Sequence, residues 1–171
     1  MTRGNARELA VHLIYGRIFT GEEPETVVSV RLDKEYYAQL SDENDIYADR
    51  PSRTQLRYID AVVAGVANRE EELNQRIQKF SIGWDVSRIS RLTRCIMQLA
   101  IYEILYVEDV PVGVAVSEAV RLAKKYDSPE TGSFVNGILG SFARSLNAPS
   151  PEEAVQEDVA QTILEAAAEE N

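Results

Sequence analysis

Residues 88–136 read RISRLTRCIMQLAIYEILYVEDVPVGVAVSEAVRLAKKYDSPETGSFVN, and the way this stretch divides decides the fold. Between residues 92 and 107 only Arg94 and Glu103 carry charge. Apolar side chains at Leu92, Ile96, Met97, Leu99, Ala100, Ile101, Tyr102, Ile104 and Leu105 cover nearly every face of a helix. A helix that is apolar all round is either the core of a soluble domain or a membrane span. This one is shorter than the ~20 apolar residues a span needs and contains Glu103, so it reads as a central core helix. After a short turn, Pro111 opens a second helix whose apolar side is mostly small: Val112, Ala115, Val116, Ala119, Leu122 and Ala123. Small side chains let two helices approach closely. Lys124 and Lys125 complement the negative end of its dipole. Ser128, Pro129 and Glu130 then restart the chain as helix cap, first-turn proline and first-turn acid.

Working outward, the N-terminal segment 5–19 repeats apolar residues at helical spacing and stops at Gly21 and Pro24. Val27, Val28, Val30 and Leu32 suggest a second helix reaching to Leu40, followed by a polar loop over 41–53. Ser52 caps a long amphipathic segment with Leu56, Ile59, Val63, Val66, Leu73 and Ile77, interrupted at Glu70 and ending near Phe80. Trp84 is expected to be buried, packing the following turn onto the bundle. Val135, Ile138, Leu139, Phe142 and Leu146 form the stripe of a last body helix. No segment alternates as a strand does. The expected fold is all-α, a single bundle of roughly six or seven helices.

With 171 residues, one domain with a substantial core is expected, and 44% hydrophobic content fits an ordinary globular protein. The net charge of −10 is unevenly spread. All 18 basic residues precede Ala148, while seven of the 28 acids follow it, leaving −3 in residues 1–147 and −7 in residues 148–171. The first part is the expected folded domain. The second is an acidic extension carrying Ser150, Pro151, Glu152 and Glu153 as a helix start, either one more helix or a detached segment. That extension could also fold back over basic residues of the domain. The single cysteine, Cys95, forbids an intrachain disulfide and suits a reducing cytosol. No signal-type apolar run opens the chain, so a cytoplasmic protein is expected.

Catalytic chemistry finds no support. His12 has no Asp or Ser at a supporting spacing and reads as a packing or surface histidine. Cys95 reads as a small core residue. Glu103 and Glu118 read better as carboxylates bonded to an arginine or a helix end than as an acid–base pair. Phosphate-loop, dinucleotide, zinc-protease and hydrolase motifs are absent, and no cofactor or metal is expected. A binding surface fares better. Arg3, Arg7 and Tyr15 place cations and an aromatic ring on the first helix, the combination that holds single-stranded RNA. Arg76, Lys79, Arg88, Arg91 and Arg94 form the densest basic segment, opposed there only by Asp85. It could supply further phosphate contacts, a protein-docking rim or merely a solvated face.

LAIYE at 99–103, DVPVGVAVSEAVRLAKKY at 109–126 and FVNGIL at 134–139, together with ARELAVHLIYG at 6–16, resemble the NusB family of transcription antitermination proteins. The resemblance spans residues 3–144 and is weak over 20–54. It implies two antiparallel helical subdomains packed face to face and no enzymatic activity. It also implies binding of single-stranded leader or spacer RNA of ribosomal RNA operons, jointly with the ribosomal protein NusE, and action on elongating RNA polymerase. Carried onto this chain, the RNA-facing residues are Arg3, Arg7, Tyr15, Glu130, Phe134 and Asn136. The NusE-facing residues are Thr93, Arg94, Met97, Gln98 and Glu103. Family members often carry a dense arginine run before ARE, where this chain has Thr2-Arg3-Gly4-Asn5. Fewer phosphate contacts imply weaker intrinsic RNA affinity. Two other readings remain open: an RNA-binding domain of the kind that precedes ribosomal RNA cytosine methyltransferases, and a protein scaffold without RNA. A homodimer is also compatible with the pattern.

Overall fold

The computed structural model describes residues 1–41, 44–84 and 89–147. The acidic extension at 148–171, and with it the expected extra helix, lies outside the described residues. Eight α-helices and one short 3₁₀ turn (Asp45–Tyr47) make up the described chain, with no strand among them. The helices are α1 (Arg3–Thr20), α2 (Pro24–Arg31), α3 (Lys34–Leu40), α4 (Arg53–Asn68), α5 (Glu70–Phe80), α6 (Arg91–Tyr106), α7 (Val112–Tyr126) and α8 (Pro129–Leu146). The count exceeds the expected six or seven because two long segments are each broken into two helices, the second beside the interruption marked at Glu70. Asp33 ends the first, its carboxylate accepting from the backbone N–H groups of Glu35 and Tyr36 and so capping a new helix. The second breaks at Arg69, whose backbone leaves helical geometry (φ −123°, ψ 20°) while its guanidinium lies 4.5 Å over the Tyr106 ring.

Local signals explain most helix ends. Ser52 and Gln55 form a reciprocal capping box at α4. Thr2, Ser90 and Ser128 cap α1, α6 and α8 through their hydroxyls. Gly21 ends α1 in the left-handed region (φ 65°), with its N–H bonded to the Arg17 carbonyl.

The first half of the chain packs α1 and α2 on α4; the second packs α5, α7 and α8 with α6. The halves meet where α1 and α4 lie against α6. As its all-round apolar sequence requires, α6 is the hub, touching α1, α4, α5, α7 and α8. Ile96, Met97, Leu99, Ala100 and Ile101 are all buried on it. Each such large side chain contributes about 1.5–3 kcal/mol by leaving water. The small residues of α7 serve close packing: Ala115, Ala119 and Ala123 are buried. Gly132 of α8 lies so near the Lys124 side chain that a β-carbon there would collide with it.

Candidate nucleic-acid interface

Helix α1 is fastened by a continuous polar network. Arg7 donates from Nε to both oxygens of Glu103, at 2.9 and 3.0 Å, and its Nη1 lies 3.4 Å from Glu118. Tyr58 donates to Glu103 at 2.7 Å. Arg121 links Glu118 to Glu8, at 3.1 and 3.3 Å, and Lys125 reaches Glu8 at 2.6 Å. Tyr126 also donates to Glu8, while His12 Nε2 lies 2.7 Å from the Tyr126 hydroxyl and Nδ1 lies 3.3 Å from that of Tyr47. Because the one Tyr126 proton goes to an acceptor-only carboxylate, Nε2 is the donor to Tyr126 and Nδ1 accepts from Tyr47. Burial alone would raise the Glu8 carboxyl, but its bonds to Lys125, Tyr126 and Arg121 outweigh that and hold it below the usual range. Burial lowers the His12 imidazole, outweighing the field of Glu8. His12 is therefore a packing histidine, and Glu103 and Glu118 are arginine-bonded carboxylates, as the sequence reading expects.

The network keeps Arg7 from solvent: the residue is 6% exposed. Of the six residues expected to face RNA, Arg3, Glu130 and Asn136 are exposed, and Tyr15 and Phe134 are half-buried. Glu130, Phe134 and Asn136 share the first turns of α8. Tyr15 stands on the last turns of α1, edge-on to Phe19 at 5.1 Å, and Arg3 lies at that helix's opposite end. Of the five residues expected to face a protein partner, Thr93, Met97, Gln98 and Glu103 are buried, and Arg94 is half-buried. Thr93 donates to Asp127 at 3.2 Å and Gln98 to Asn74 at 2.9 Å, so both join helices. Met97 is core.

Trp84 corrects an expectation. It is 62% exposed rather than buried, and its ring sits 4.6 Å from that of Phe134 at a 58° tilt. Gly83 makes this possible by turning the chain in the left-handed region (φ 80°), which favours glycine. Ile82 beside it is 86% exposed. Trp84 and Phe134 wall a groove of about 410 Å3 whose polar rim includes Thr93, Asp127 and Glu130. An aromatic pair open to solvent with hydrogen-bonding groups around it suits an unstacked base. The sequence marks Trp84 only as the residue after a glycine turn, and nothing in that spacing tells an outward ring from an inward one. Arg88 of the basic segment lies outside the described residues. Among the described residues, no three His, Cys, Asp or Glu side chains come together to hold a metal ion, and no helix is long and apolar enough to cross a membrane.

The described chain is thus an all-helical bundle that presents an open aromatic pair, Trp84 and Phe134, among polar groups. The chain belongs to the NusB family, whose model matches residues 4–144. It is 37% identical to the transcription antitermination protein NusB of Symbiobacterium thermophilum, across 92% of this chain and all of that one. It is 40% identical to that of Acetivibrio thermocellus, across 84% of this chain and 90% of that one. In fold it resembles antitermination factor NusB crystallised with NusE and double-stranded RNA (TM-score 0.64, 22% identity, 84% of this chain and 96% of that one). It also resembles NusB of T. maritima (TM-score 0.62, 23% identity, 84% and 92%).

Proposed function

We propose that this chain is a transcription antitermination factor that binds single-stranded leader or spacer RNA of ribosomal RNA operons together with NusE and acts on elongating RNA polymerase. The observation that carries this reading is the identity to antitermination proteins along nearly the whole chain, 37% over 159 residues. The aromatic groove of Trp84 and Phe134 supports it, because base stacking is the sequence-tolerant part of RNA binding. In this reading Phe134 and Trp84 hold a base, Glu130 and Asn136 bond base edges, and Arg3 and Tyr15 contact the strand along α1. Arg7 serves by holding α1 in place. The NusE-facing surface lies on the first turns of α6, where Arg94 is presented to the partner and Thr93, Met97, Gln98 and Glu103 fix the helix that presents it. With Arg3 the single arginine before Ala6, the RNA and NusE contacts are interdependent, each raising the local concentration for the other.

Titrating a host ribosomal leader RNA across salt concentrations, with and without the host NusE, tests this. Binding that is tight and steeply salt-dependent only with NusE is the expected result. NusE binding without any gain in RNA affinity would leave a protein scaffold instead.

A further inference from the structure

Around the first turn of α6 from the Trp84 groove lies a second groove, of about 370 Å3, between α1, α4 and α6. Arg17, Arg91 and Arg94 line it against a single acid, Glu70. The Nε of Arg17 is buried and makes no hydrogen bond, and neither Arg17 nor Arg91 has an ion-pair partner among the described residues. A buried N–H without an acceptor is rare in native proteins and calls for an occupant that supplies one. The lip of the groove is apolar and open: Ile18 is 44% exposed and Phe19 is 62% exposed. The Phe19 ring has its edge contact with Tyr15 on one side and the Arg91 guanidinium 5.9 Å away.

We propose that this groove is a phosphodiester subsite for single-stranded RNA, with Arg17 and Arg91 taking one backbone phosphate and the adjoining base lying on Phe19. The proposal rests on the RNA-binding reading above and extends it to residues on the other side of α6. A guanidinium is planar, always charged and shaped for phosphate oxygens. A cation beside an exposed ring repeats the phosphate-and-base unit of a nucleotide, whereas an acidic protein partner would need the cations alone. Ser90 and Thr93 face the Trp84 groove while Arg91 and Arg94 face this one, so a strand occupying both crosses the first turn of α6.

The test follows the Arg17 Nε–Hε signal by NMR in the full chain, with NusE present, as single-stranded host ribosomal leader RNA is added. NusE on Arg94, which lines the same groove, moves the signal on its own, so the expected result is a further shift when RNA is added to the NusE complex. Arg17→Gln and Arg91→Gln should each weaken RNA binding about tenfold at low salt and flatten the salt dependence by about 0.7 per lost phosphate contact. Phe19→Ala should weaken binding with the salt dependence intact. Arg17→Gln should leave the thermal midpoint unchanged, since its Nε holds no protein acceptor. RNA binding with the Arg17 signal unmoved and the slope unchanged overturns the subsite while leaving the RNA-binding reading standing. A shift caused by NusE with no further change when RNA is added assigns the groove to protein and overturns it too. If wild-type protein with NusE gives no RNA titration at all, the RNA-binding reading falls and the subsite with it.

Discussion

The Arg7 guanidinium and the Glu103 carboxylate meet face to face inside the bundle, Nε lying 2.9 and 3.0 Å from the two oxygens. Glu103 is fully buried and Arg7 nearly so. Removing one member of such a pair strands a charge away from water, at a cost of about 3–5 kcal/mol. Arg7→Met should cost that much in urea unfolding, lowering the thermal midpoint by about 6–20 °C at about 2–4 °C per kcal/mol. Glu103→Gln should cost less, because Arg7 keeps Glu118 at 3.4 Å and Tyr58 keeps an oxygen to bond. Equal stability of Arg7→Met and wild type would show the pair to be dispensable.

Stability should fall in two steps as pH drops. His12 is lowered from its ordinary 6.5 and Glu8 from its ordinary 4.5. In both cases the unfolded chain takes up its proton first, so the native state loses stability as pH falls below the unfolded value and on through the folded one. The loss attributable to His12 begins near pH 6.5 and that of Glu8 near pH 4.5. Denaturant midpoints measured from pH 8 to 2 check this. His12→Gln should remove the upper step and leave the lower; an unchanged upper step would mean that another group causes it.

Gly65 of α4 faces the Tyr102 ring so closely that a β-carbon would overlap it. Gly65→Ala should therefore destabilise by about 1–3 kcal/mol through overpacking, although alanine favours a helix by about 1 kcal/mol over glycine. In a Tyr102→Ala background the same change should turn neutral or stabilising. The double-mutant cycle measures the coupling, and a null coupling would contradict the packing described.

Trp84 is the only tryptophan, so its fluorescence reports one place. Exposed as it is, it should emit at the long wavelength of a hydrated indole. Leader RNA added with NusE should quench it, and Phe134→Ala should weaken RNA binding while lowering stability little. Emission unaffected by bound RNA would move the base site elsewhere.

Cys95 is buried, and burial pushes its thiol up to about 12. It should resist thiol reagents at neutral pH in the native state and react at a rate set by opening of the bundle. Rapid labelling of folded protein would contradict its placement.

The hub helix, the close α7–α8 packing and the caps at Ser52 and Ser128 are legible in sequence, because each is a local pattern of apolar spacing or hydrogen-bonding residue types. The breaks at Asp33 and Arg69 are less so. Asp33 is a good cap residue, but the apolar pattern runs through it; Glu70 marks an interruption beside Arg69, but the stacking of Arg69 on Tyr106 joins residues far apart in the chain. The site shows the same division. Glu130 and Asn136 lie at the surface on α8, but what holds Arg7 and exposes Trp84 is decided by contacts across the bundle. Arg7 and Glu103 stand 96 residues apart, and no spacing rule links them. Arginine at the start of a helix reads as a surface cation until its partner is known.

That separation also orders events on the ribosome. At about 5–20 residues per second, a further 5–20 s of translation passes between synthesis of Arg7 and synthesis of Glu103. Helix α1 is made before α4 and α6, and its Leu9, Ala10, Val11 and Leu13 are buried only once those partners arrive. Helices α2 and α4 cover part of its apolar face first, but the side that carries Arg7 closes only when α6 is complete. The Arg7 side of α1 is thus among the last surfaces to close, and the nascent chain is most vulnerable to aggregation during that interval.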